Sequence, residues 1–340
     1  MNAAATPTPT LPQGGREQEP LLSVRDLQVH FKVRGEGLLA QKRTLKAVNG
    51  VNFDLYPGET LGIVGESGCG KSTLARAVLN LIPPTAGKVV WLGRDMSGAT
   101  PADWQKVRRN VQMVFQDPLA SLNPRMNIAQ IVGEPLRTHR PEMSAAEVLA
   151  RVKATLVKVG MSEAHLYRYP HEFSGGQCQR IGIARALILE PKLIVCDEPV
   201  SALDVSIQAQ IINLLKDLQK EMQLALVFIA HDLAVVKHVS QRILVMYLGR
   251  VMELADKHEL YADPKHPYTR ALLSAVPLAD PLRERGKVIQ MLGGDLPSPI
   301  NPPSGCVFRT RCPHAFERCA QEVPPLKPIN SHTEAACWLY

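Results

Sequence analysis

The stretch Gly65-Glu66-Ser67-Gly68-Cys69-Gly70-Lys71-Ser72 decides the fold, because it stands between two segments of different periodicity. The residues before it, LGIVG at 61–65, form an apolar run typical of a buried strand, and KSTLARAVLNLI at 71–82 has helical spacing. A glycine-rich turn that ends in Lys-Ser between a strand and a helix matches the phosphate-loop pattern. By itself, the motif also fits an ordinary strand-to-helix turn.

The residues of this loop have distinct expected roles toward a nucleotide. Lys71 is predicted to neutralise the β- and γ-phosphates, Ser72 to hold Mg²⁺, and Thr73 to contact the α-phosphate. The residues before them are predicted to turn backbone N–H groups toward phosphate oxygens at the N-terminus of a helix. These cofactor-binding candidates are Gly65, Glu66, Ser67, Gly68, Cys69 and Gly70.

A pair of adjacent acids ends a second buried strand, LIVCDE at 193–198. Buried strands rarely end in two carboxylates unless these are needed, although a solvated turn is the alternative. Asp197 is predicted to bind Mg²⁺ through water, and Glu198 to polarise the water that attacks the phosphate. Beside the phosphate loop, this pair indicates an ATP-hydrolysing site.

Three further features belong to the same candidate site. Ser174-Gly175-Gly176-Gln177 opens a helix and presents a second helix N-terminus to an anion; an N-cap explains Ser174 but not the two glycines and Gln177. Gln116 follows a strand and is predicted to bind Mg²⁺ or the attacking water. His231 follows another strand and is predicted to contact the γ-phosphate. Taken singly, Gln116 and His231 also fit structural polar roles.

The order of predicted elements indicates an α/β protein. The segment at 21–33 alternates as a strand does, and the segment at 44–59 predicts two more strands separated at Asn49-Gly50. Buried strands that alternate with helices predict a largely parallel sheet. Ser144 is a candidate N-cap for a helix that runs toward residue 160. One buried strand, at 192–199, follows a predicted helix at 177–190. Another, at 224–232, follows a predicted helix at 206–222.

Composition divides the chain into three parts. Residues 1–20 are rich in Pro, Thr and Gly and carry no secretory signal, which predicts a disordered arm and a cytoplasmic chain. Residues 21–262 carry the candidate site, with several helical stretches at about 117–180. Residues 263–340 are dense in proline and form a C-terminal extension. The net charge of +7 and pI near 9.0 indicate a basic surface facing an anionic ligand, a membrane or nucleic acid.

The motifs, in this order, resemble the ATP-binding-cassette family over residues 21–262. The resemblance adds Ser201-Ala202-Leu203-Asp204 to the matches. It implies ATP and Mg²⁺ as ligands, a parallel-sheet core with antiparallel strands and a helical subdomain, and a head-to-tail dimer. In that dimer, each nucleotide lies between one subunit's phosphate loop and the other's Ser174–Gln177. Phe31 looks like the aromatic residue that stacks on adenine, although a strand core residue would look the same.

Longer stretches are similar to the peptide-importer branch of this family, closest to the F-type ATPases of oligopeptide permeases. They include QDPLASLNPRM at 116–126, RYPHEFSGGQ at 168–177 and KHPYTRALLSAVP at 265–277. The resemblance implies a translocase at the cytoplasmic face of the bacterial inner membrane. Its partners would be a second homologous ATPase, two transmembrane permeases and, indirectly, a periplasmic peptide-binding protein. The alternative is a soluble ATPase that acts on nucleic acid.

Four cysteines in the extension are spaced C-x₅-C-x₆-C-x₁₇-C, which matches no common metal motif. Unliganded thiols, a structural Zn²⁺ and an iron–sulfur cluster all remain possible from the spacing. A proline-rich segment with little core would gain folding energy from a metal. The resemblance favours a [4Fe–4S] cluster, with zinc second. The candidate ligands are Cys306, Cys312, Cys319 and Cys337.

Overall fold

A computed structural model of the protein describes residues 19–34, 42–277, 285–286, 290 and 292–340. Of the arm predicted at 1–20, residues 1–18 lie outside the described residues. None of the helices in the described ranges combines the length and apolar character that a membrane span requires. The fold is the predicted α/β class, with a mainly parallel sheet, an antiparallel sheet and a group of helices.

The described strands form a four-stranded antiparallel sheet and an eight-stranded core sheet. In spatial order, the antiparallel sheet consists of β2 (Lys42–Leu55), β1 (Leu22–Arg34), β4 (Ala86–Trp91) and β5 (Arg94–Asp95). The core sheet consists of β11 (Lys327–Asn330), β12 (Thr333–Ala335), β10 (Arg250–Asp256), β9 (Arg242–Tyr247), β3 (Thr60–Val64), β8 (Ala225–Ile229), β7 (Leu193–Asp197) and β6 (Val111–Val114). The pairings from β9 to β6 are parallel.

The prediction of two strands separated at Asn49-Gly50 is wrong. The chain runs through this point as the single strand β2, which pairs with β1 on both sides of it. Gly50 adopts a positive φ of 81°, and the β1–β2 register shifts nearby. The irregularity that the sequence pattern indicated as a turn is therefore a β-bulge in the β1–β2 pairing.

The core sheet is buried on both faces because its strands carry apolar residues on both sides. In β7, Leu193 and Val195 join the cluster shared with the antiparallel sheet, whereas Ile194 and Cys196 join the cluster shared with the helices. Side chains alternate in direction along a strand, so a continuous apolar run serves two layers.

The helices surround this sheet. Three of them, α3, α4 and α5, pack together as a helical subdomain. Ser144 caps α4 as predicted, accepting a hydrogen bond from the Glu147 N–H at 3.3 Å. In chain order the helices are α1 (Lys71–Val78), α2 (Pro101–Arg108), α3 (Ile128–His139), α4 (Ala145–Lys158), α5 (Gly175–Leu187), α6 (Val205–Met222), α7 (Leu233–Val239), α8 (Lys257–Ala262), α9 (Pro267–Ala275) and α10 (Glu317–Gln321).

The C-terminal region shares the core of the rest of the chain. β12 pairs with β10 and thereby extends the core sheet. Phe308 is 1% exposed, and its ring lies 5.3 Å, centroid to centroid, from the rings of both Tyr247 and Tyr268. Aromatic pairs at such distances add stabilisation beyond the burial of apolar area. These three aromatic rings therefore pack the C-terminal region against the core sheet.

Replacing Phe308 with Ala should lower the free energy of unfolding by about 3–5 kcal/mol, because it leaves a cavity among buried aromatic rings. Phe316, in the same region, is 46% exposed, so Phe316→Ala should cost less than about 0.5 kcal/mol. Denaturant unfolding of the full chain measures both values. Equal losses in the two variants would contradict this packing account.

Candidate functional site

Four segments of the candidate site follow the carboxyl ends of neighbouring parallel strands. The phosphate loop follows β3, His231 follows β8, Glu198 follows β7 and Gln116 follows β6. Because these strands lie side by side in the order β3-β8-β7-β6, their carboxyl ends meet at one edge of the sheet. Ligands of open α/β sheets bind at this edge. The structure thus brings together residues that the sequence separates widely.

The phosphate loop has a shape that only glycine permits at two positions. Gly65 and Gly70 have φ values of 151° and 106°. A Cβ atom at Gly65 would lie 2.2 Å from the Met246 carbonyl oxygen, and one at Gly70 would lie 2.1 Å from the Ala47 carbonyl oxygen. Both contacts are to backbone, which cannot move aside as a side chain can. The loop is therefore fixed between β9 and β2.

Lys71, the first residue of α1, lies buried inside this loop. Its Nζ donates to the carbonyl oxygen of Gly65 at 2.8 Å and to that of Glu66 at 3.2 Å. The ammonium group is thus held within the loop by two carbonyl oxygens and by Cys69 Sγ, which lies 4.0 Å from Nζ. Burial raises the pKa of the neighbouring Cys69 thiol, which is 2% exposed and packs as a small apolar residue. Thr73 follows in α1 and is half-buried.

Ser72 and Asp197 contact each other across the ends of β3 and β7. The Ser72 hydroxyl donates to Asp197 Oδ1 at 2.7 Å. Asp197 is fully buried, and its other oxygen, Oδ2, has no hydrogen-bond partner within the described residues. The nearest cation is Arg76, whose Nη2 lies 3.9 Å from Oδ2. A buried carboxylate oxygen without a hydrogen-bond partner, beside a hydroxyl, fits the oxygen ligands that Mg²⁺ prefers.

Glu198 adopts an uncommon backbone conformation at the edge of the site, with φ of 47°. Its N–H donates to the Ile229 carbonyl oxygen at 3.1 Å, and its own carbonyl oxygen accepts from the Ser201 hydroxyl at 3.0 Å. Its carboxylate accepts a hydrogen bond of 2.8 Å from the Gln116 side-chain amide. A strained non-glycine residue held on several sides is typical of functional positions.

His231 lies exposed beside Glu198. Both line a small cleft of about 60 Å³, together with Ser201 and Gln208. Asp232 also lines this cleft, and its carboxylate accepts from the Ala234 N–H at 2.7 Å and so caps α7. Glu198, which accepts from Gln116, and His231 therefore line one volume that is large enough for a water molecule.

The segment Ser174–Gln177 forms the N-terminus of α5, and two of its residues have structural roles that the sequence analysis did not assign. Gln177 N–H donates to the Ser174 hydroxyl, and the Gln177 side chain accepts from the Ser174 N–H at 3.0 Å. This reciprocal pair is a capping box. A Cβ atom at Gly176 would lie 2.5 Å from Ile207 Cγ2, so this glycine permits close packing of α5 on α6. From the sequence, an N-cap was expected not to explain Gln177. The capping box gives Gln177 a structural role, so that interpretation is wrong.

Some predicted residues are not brought together within one chain. In the described part of the chain, no hydrogen bond or ion pair joins Ser174–Gln177 to the phosphate loop. Phe31 is half-buried on β1, opposite Leu45 of β2. Arg76, which pairs with Asp197, carried no motif signal in the sequence.

The C-terminal region also contacts the phosphate loop. The Glu66 N–H donates to the Tyr268 hydroxyl at 2.9 Å, and the Glu66 carboxylate accepts from Arg311 at 2.8 Å. Neither Tyr268 nor Arg311 was predicted to contact this site. They lie 202 and 245 residues from Glu66, and no local pattern marks such a contact.

The prediction of a [4Fe–4S] cluster or zinc ion on the four cysteines is wrong. Among the described residues, which include all four, no group of three or more His, Cys, Asp or Glu side chains is arranged to hold a metal ion. Burial raises the pKa of Cys306 to about 11 and also raises the pKa values of Cys312 and Cys337. Burial in apolar surroundings makes these free thiols weakly acidic, as is typical of packed structural cysteines.

The physical premise behind the metal prediction fails as well. The sequence suggested a segment with little core, yet Cys306, Cys319 and Phe308 are buried in the same apolar cluster as the helices. β12 adds backbone hydrogen bonds to the sheet. Packing and strand pairing therefore hold the region against the rest of the chain.

Comparison with known proteins adds an independent observation. A family model described as "ABC transporter" matches residues 48–201, and one described as "Oligopeptide/dipeptide transporter, C-terminal region" matches residues 252–319. The chain is 62% identical over 322 residues to the oligopeptide transport ATP-binding protein OppF of Haemophilus influenzae, covering 94% of this chain and 97% of the relative. It is 53% identical to the oligopeptide transport ATP-binding protein AppF of Bacillus subtilis, covering 95% and 98%.

A solved structure is similar in fold. The ATP-binding cassette MJ0796, described as a dimer in a post-hydrolysis state bound to ADP and Pi, has a TM-score of 0.62 and 30% identity. The match covers 69% of this chain and 98% of that chain. The remaining part of this chain lies outside the similarity to that single cassette.

The close approach of Gly176 to Ile207 predicts different costs for the two adjacent glycines. Gly176→Ala should lower the free energy of unfolding by about 1–3 kcal/mol, because its methyl group would overlap Ile207. At Gly175 a Cβ atom comes no closer than 3.5 Å to Leu203, so Gly175→Ala should change stability by less than about 1 kcal/mol. Denaturant unfolding distinguishes the two. A Gly176→Ala variant as stable as Gly175→Ala would contradict the packing of α5 on α6.

Proposed function

Because this chain belongs to the ATP-binding-cassette transporter family, we propose that it is the ATP-hydrolysing subunit that energises import of oligopeptides across a membrane. The observation that carries the enzymatic part is the convergence of Lys71, Ser72, Asp197 and Glu198 at one sheet edge. The transported class follows from relatives that are named for oligopeptide transport and that align with nearly the whole chain.

The residues around the phosphate loop bind the triphosphate and its magnesium ion. The inward N–H groups of the loop and the Lys71 ammonium group stabilise the phosphate charge, and Thr73 contacts the α-phosphate. Ser72, Asp197 and Gln116 would hold Mg²⁺ through oxygen atoms. When bound, Mg²⁺ neutralises part of the charge on the β- and γ-phosphates. Lys71 exchanges its carbonyl partners for phosphate oxygens on binding.

Glu198 and its neighbours act on the attacking water. The carboxylate polarises the water, and Gln116, which donates to Glu198 in this structure, orients it. His231, on the other side of the same cleft, donates to the γ-phosphate. The positive φ of Glu198 fixes the direction of its carboxylate before ATP arrives.

The nucleotide site is completed by other parts of a dimer. Phe31 stacks on the adenine ring, and Ser174–Gln177 binds the γ-phosphate held by a second, homologous ATPase. Two observations support this arrangement: within the described residues these four do not contact the chain's own phosphate loop, and the similar cassette MJ0796 is described as a dimer. Gly175, where a Cβ atom meets only ordinary contacts, leaves the helix N-terminus open to a phosphate.

The complex contains membrane subunits in addition to the two ATPases. We assign this chain to the cytoplasmic face of a bacterial inner membrane as a peripheral subunit, with two permeases and, indirectly, a periplasmic peptide-binding protein. The surface that meets the permeases is the segment 116–126, next to the Glu198 partner Gln116. In this segment Leu119 is 53% exposed, and Phe115, the residue before the segment, is 36% exposed. The nucleic-acid alternative has no support from relatives that are named for transport.

Replacing Glu198 with Gln should abolish turnover while ATP still binds, because the amide cannot polarise water but leaves the phosphate loop intact. Hydrolysis should fall by at least about a hundredfold in a complex whose partner ATPase is silenced. Glu221→Gln, at an exposed acid paired with Lys158, is the matched control and should hydrolyse normally. Undiminished turnover in Glu198→Gln would refute the role of Glu198.

Replacing Leu119 with Glu should weaken the attachment to the permeases, because it places a charge on an apolar contact surface. The amount of permease recovered with the tagged chain from detergent extracts should fall at least about fivefold. Leu92 has the same exposure, 53%, but lies on the antiparallel sheet, so Leu92→Glu is the control and should recover permeases normally. Equal recovery in both variants would contradict the proposed docking surface.

A further inference from the structure

Glu66, the second residue of the phosphate loop, is held from outside the loop by two residues of the C-terminal region. Its N–H donates to Tyr268 at 2.9 Å, and its carboxylate accepts from Arg311 Nη1 at 2.8 Å. Its carbonyl oxygen accepts from Lys71 at 3.2 Å. The same residue thus links the C-terminal region to the ammonium group that meets the phosphates.

Both outside contacts are sheltered from solvent. The Tyr268 side chain is fully buried, and the side chains of Arg311 and Glu66 are 10% and 26% exposed. Burial raises the pKa of Tyr268 well above its ordinary value, so the hydroxyl stays neutral. Arg311 lies three residues after Phe308, whose ring packs on Tyr247 and Tyr268. The guanidinium group is therefore placed by a packed core and not by a mobile tail.

The carboxylate of Glu66 makes its contact with Arg311 important for nucleotide binding. A carboxylate in the loop repels a triphosphate, whose negative charge lies against the same backbone turn. Pairing with Arg311 neutralises the carboxylate and keeps it on the outer side of the loop. Without the guanidinium group, the carboxylate would lose the partner that holds it away from the phosphates.

We propose that Tyr268 and Arg311 are positioning residues of the nucleotide site, which hold Glu66 outward so that the phosphate loop accepts a triphosphate. The proposal rests on the ATP site proposed above. It makes the C-terminal region a part of the nucleotide-binding machinery, although its residues do not contact the phosphates. The effect passes entirely through Glu66, and this route can be tested separately from folding.

The test is a double-mutant cycle on the full chain, with Arg311→Met and Glu66→Gln made singly and together. The equilibrium Kd for Mg·ATP is measured by titration calorimetry. Arg311→Met should raise this Kd about tenfold, within the usual range of coupling between sites. In the background of Glu66→Gln, the same change should raise it less than about twofold, because no carboxylate remains to be neutralised. A purely structural role of Arg311 would give the same penalty in both backgrounds.

Two further variants complete the test. Arg311→Lys keeps the positive charge, so its Kd for Mg·ATP should stay within about threefold of the wild-type value. Arg309→Met is the matched control, since the Arg309 side chain donates only to Ser304 in the described residues, and should bind Mg·ATP within about twofold of wild type. If Arg311→Met does not fold, Tyr268→Phe removes only the oxygen that accepts from Glu66 and should raise the Kd about three- to tenfold.

The outcomes separate this proposal from the proposed function. A wild-type chain that does not bind Mg·ATP would overturn the ATP site and this proposal together. A wild-type chain that binds, with Arg311→Met equal to it or equally impaired in both Glu66 backgrounds, would overturn this proposal alone. Undiminished binding by a Tyr268→Phe variant that folds would overturn the role of Tyr268.

Discussion

The hydrogen bond from the Ser72 hydroxyl to Asp197 is the interaction on which the site depends. It joins residues 125 positions apart, because parallel pairing brings the ends of β3 and β7 to one edge of the sheet with β8 between them. The sheet is buried on both faces, so its register is strongly determined. Every other group of the site is placed relative to this pair of strand ends.

The helical subdomain contributes a second helix N-terminus whose shape is set by packing. Gly176 allows α5 to approach α6, and the capping box between Ser174 and Gln177 satisfies backbone groups at the start of the helix. These roles account for residues that a binding motif alone would assign to a ligand. Gly175 is the remaining glycine, and a Cβ atom there would meet only an ordinary contact at the open N-terminus of α5.

The C-terminal region is joined to the nucleotide-binding core by packing and by charge. Phe308 lies among Tyr247 and Tyr268, and Arg311 pairs with Glu66 of the phosphate loop. Cys306 and Cys319 are buried in the apolar core and Cys312 packs against it, which the metal prediction did not anticipate. A segment that appears to lack a core in the sequence can share the core of its neighbours.

The sequence alone determined the α/β class, the phosphate loop, the acids at the end of β7, and the residues Gln116 and His231 after other strands. These features depend on periodicity and motif spacing within short contiguous segments, which the chain carries wherever it folds. The sequence pattern was misleading at Asn49-Gly50. It predicted a break between two strands, but β2 continues through this point with a bulge. Only the tertiary structure decided the pairing of Arg311 with Glu66, the packing of Gly176 on Ile207 and the burial of Cys306 and Cys319. Each of these depends on the distance between segments remote in sequence, and that distance is set by how sheets and helices pack.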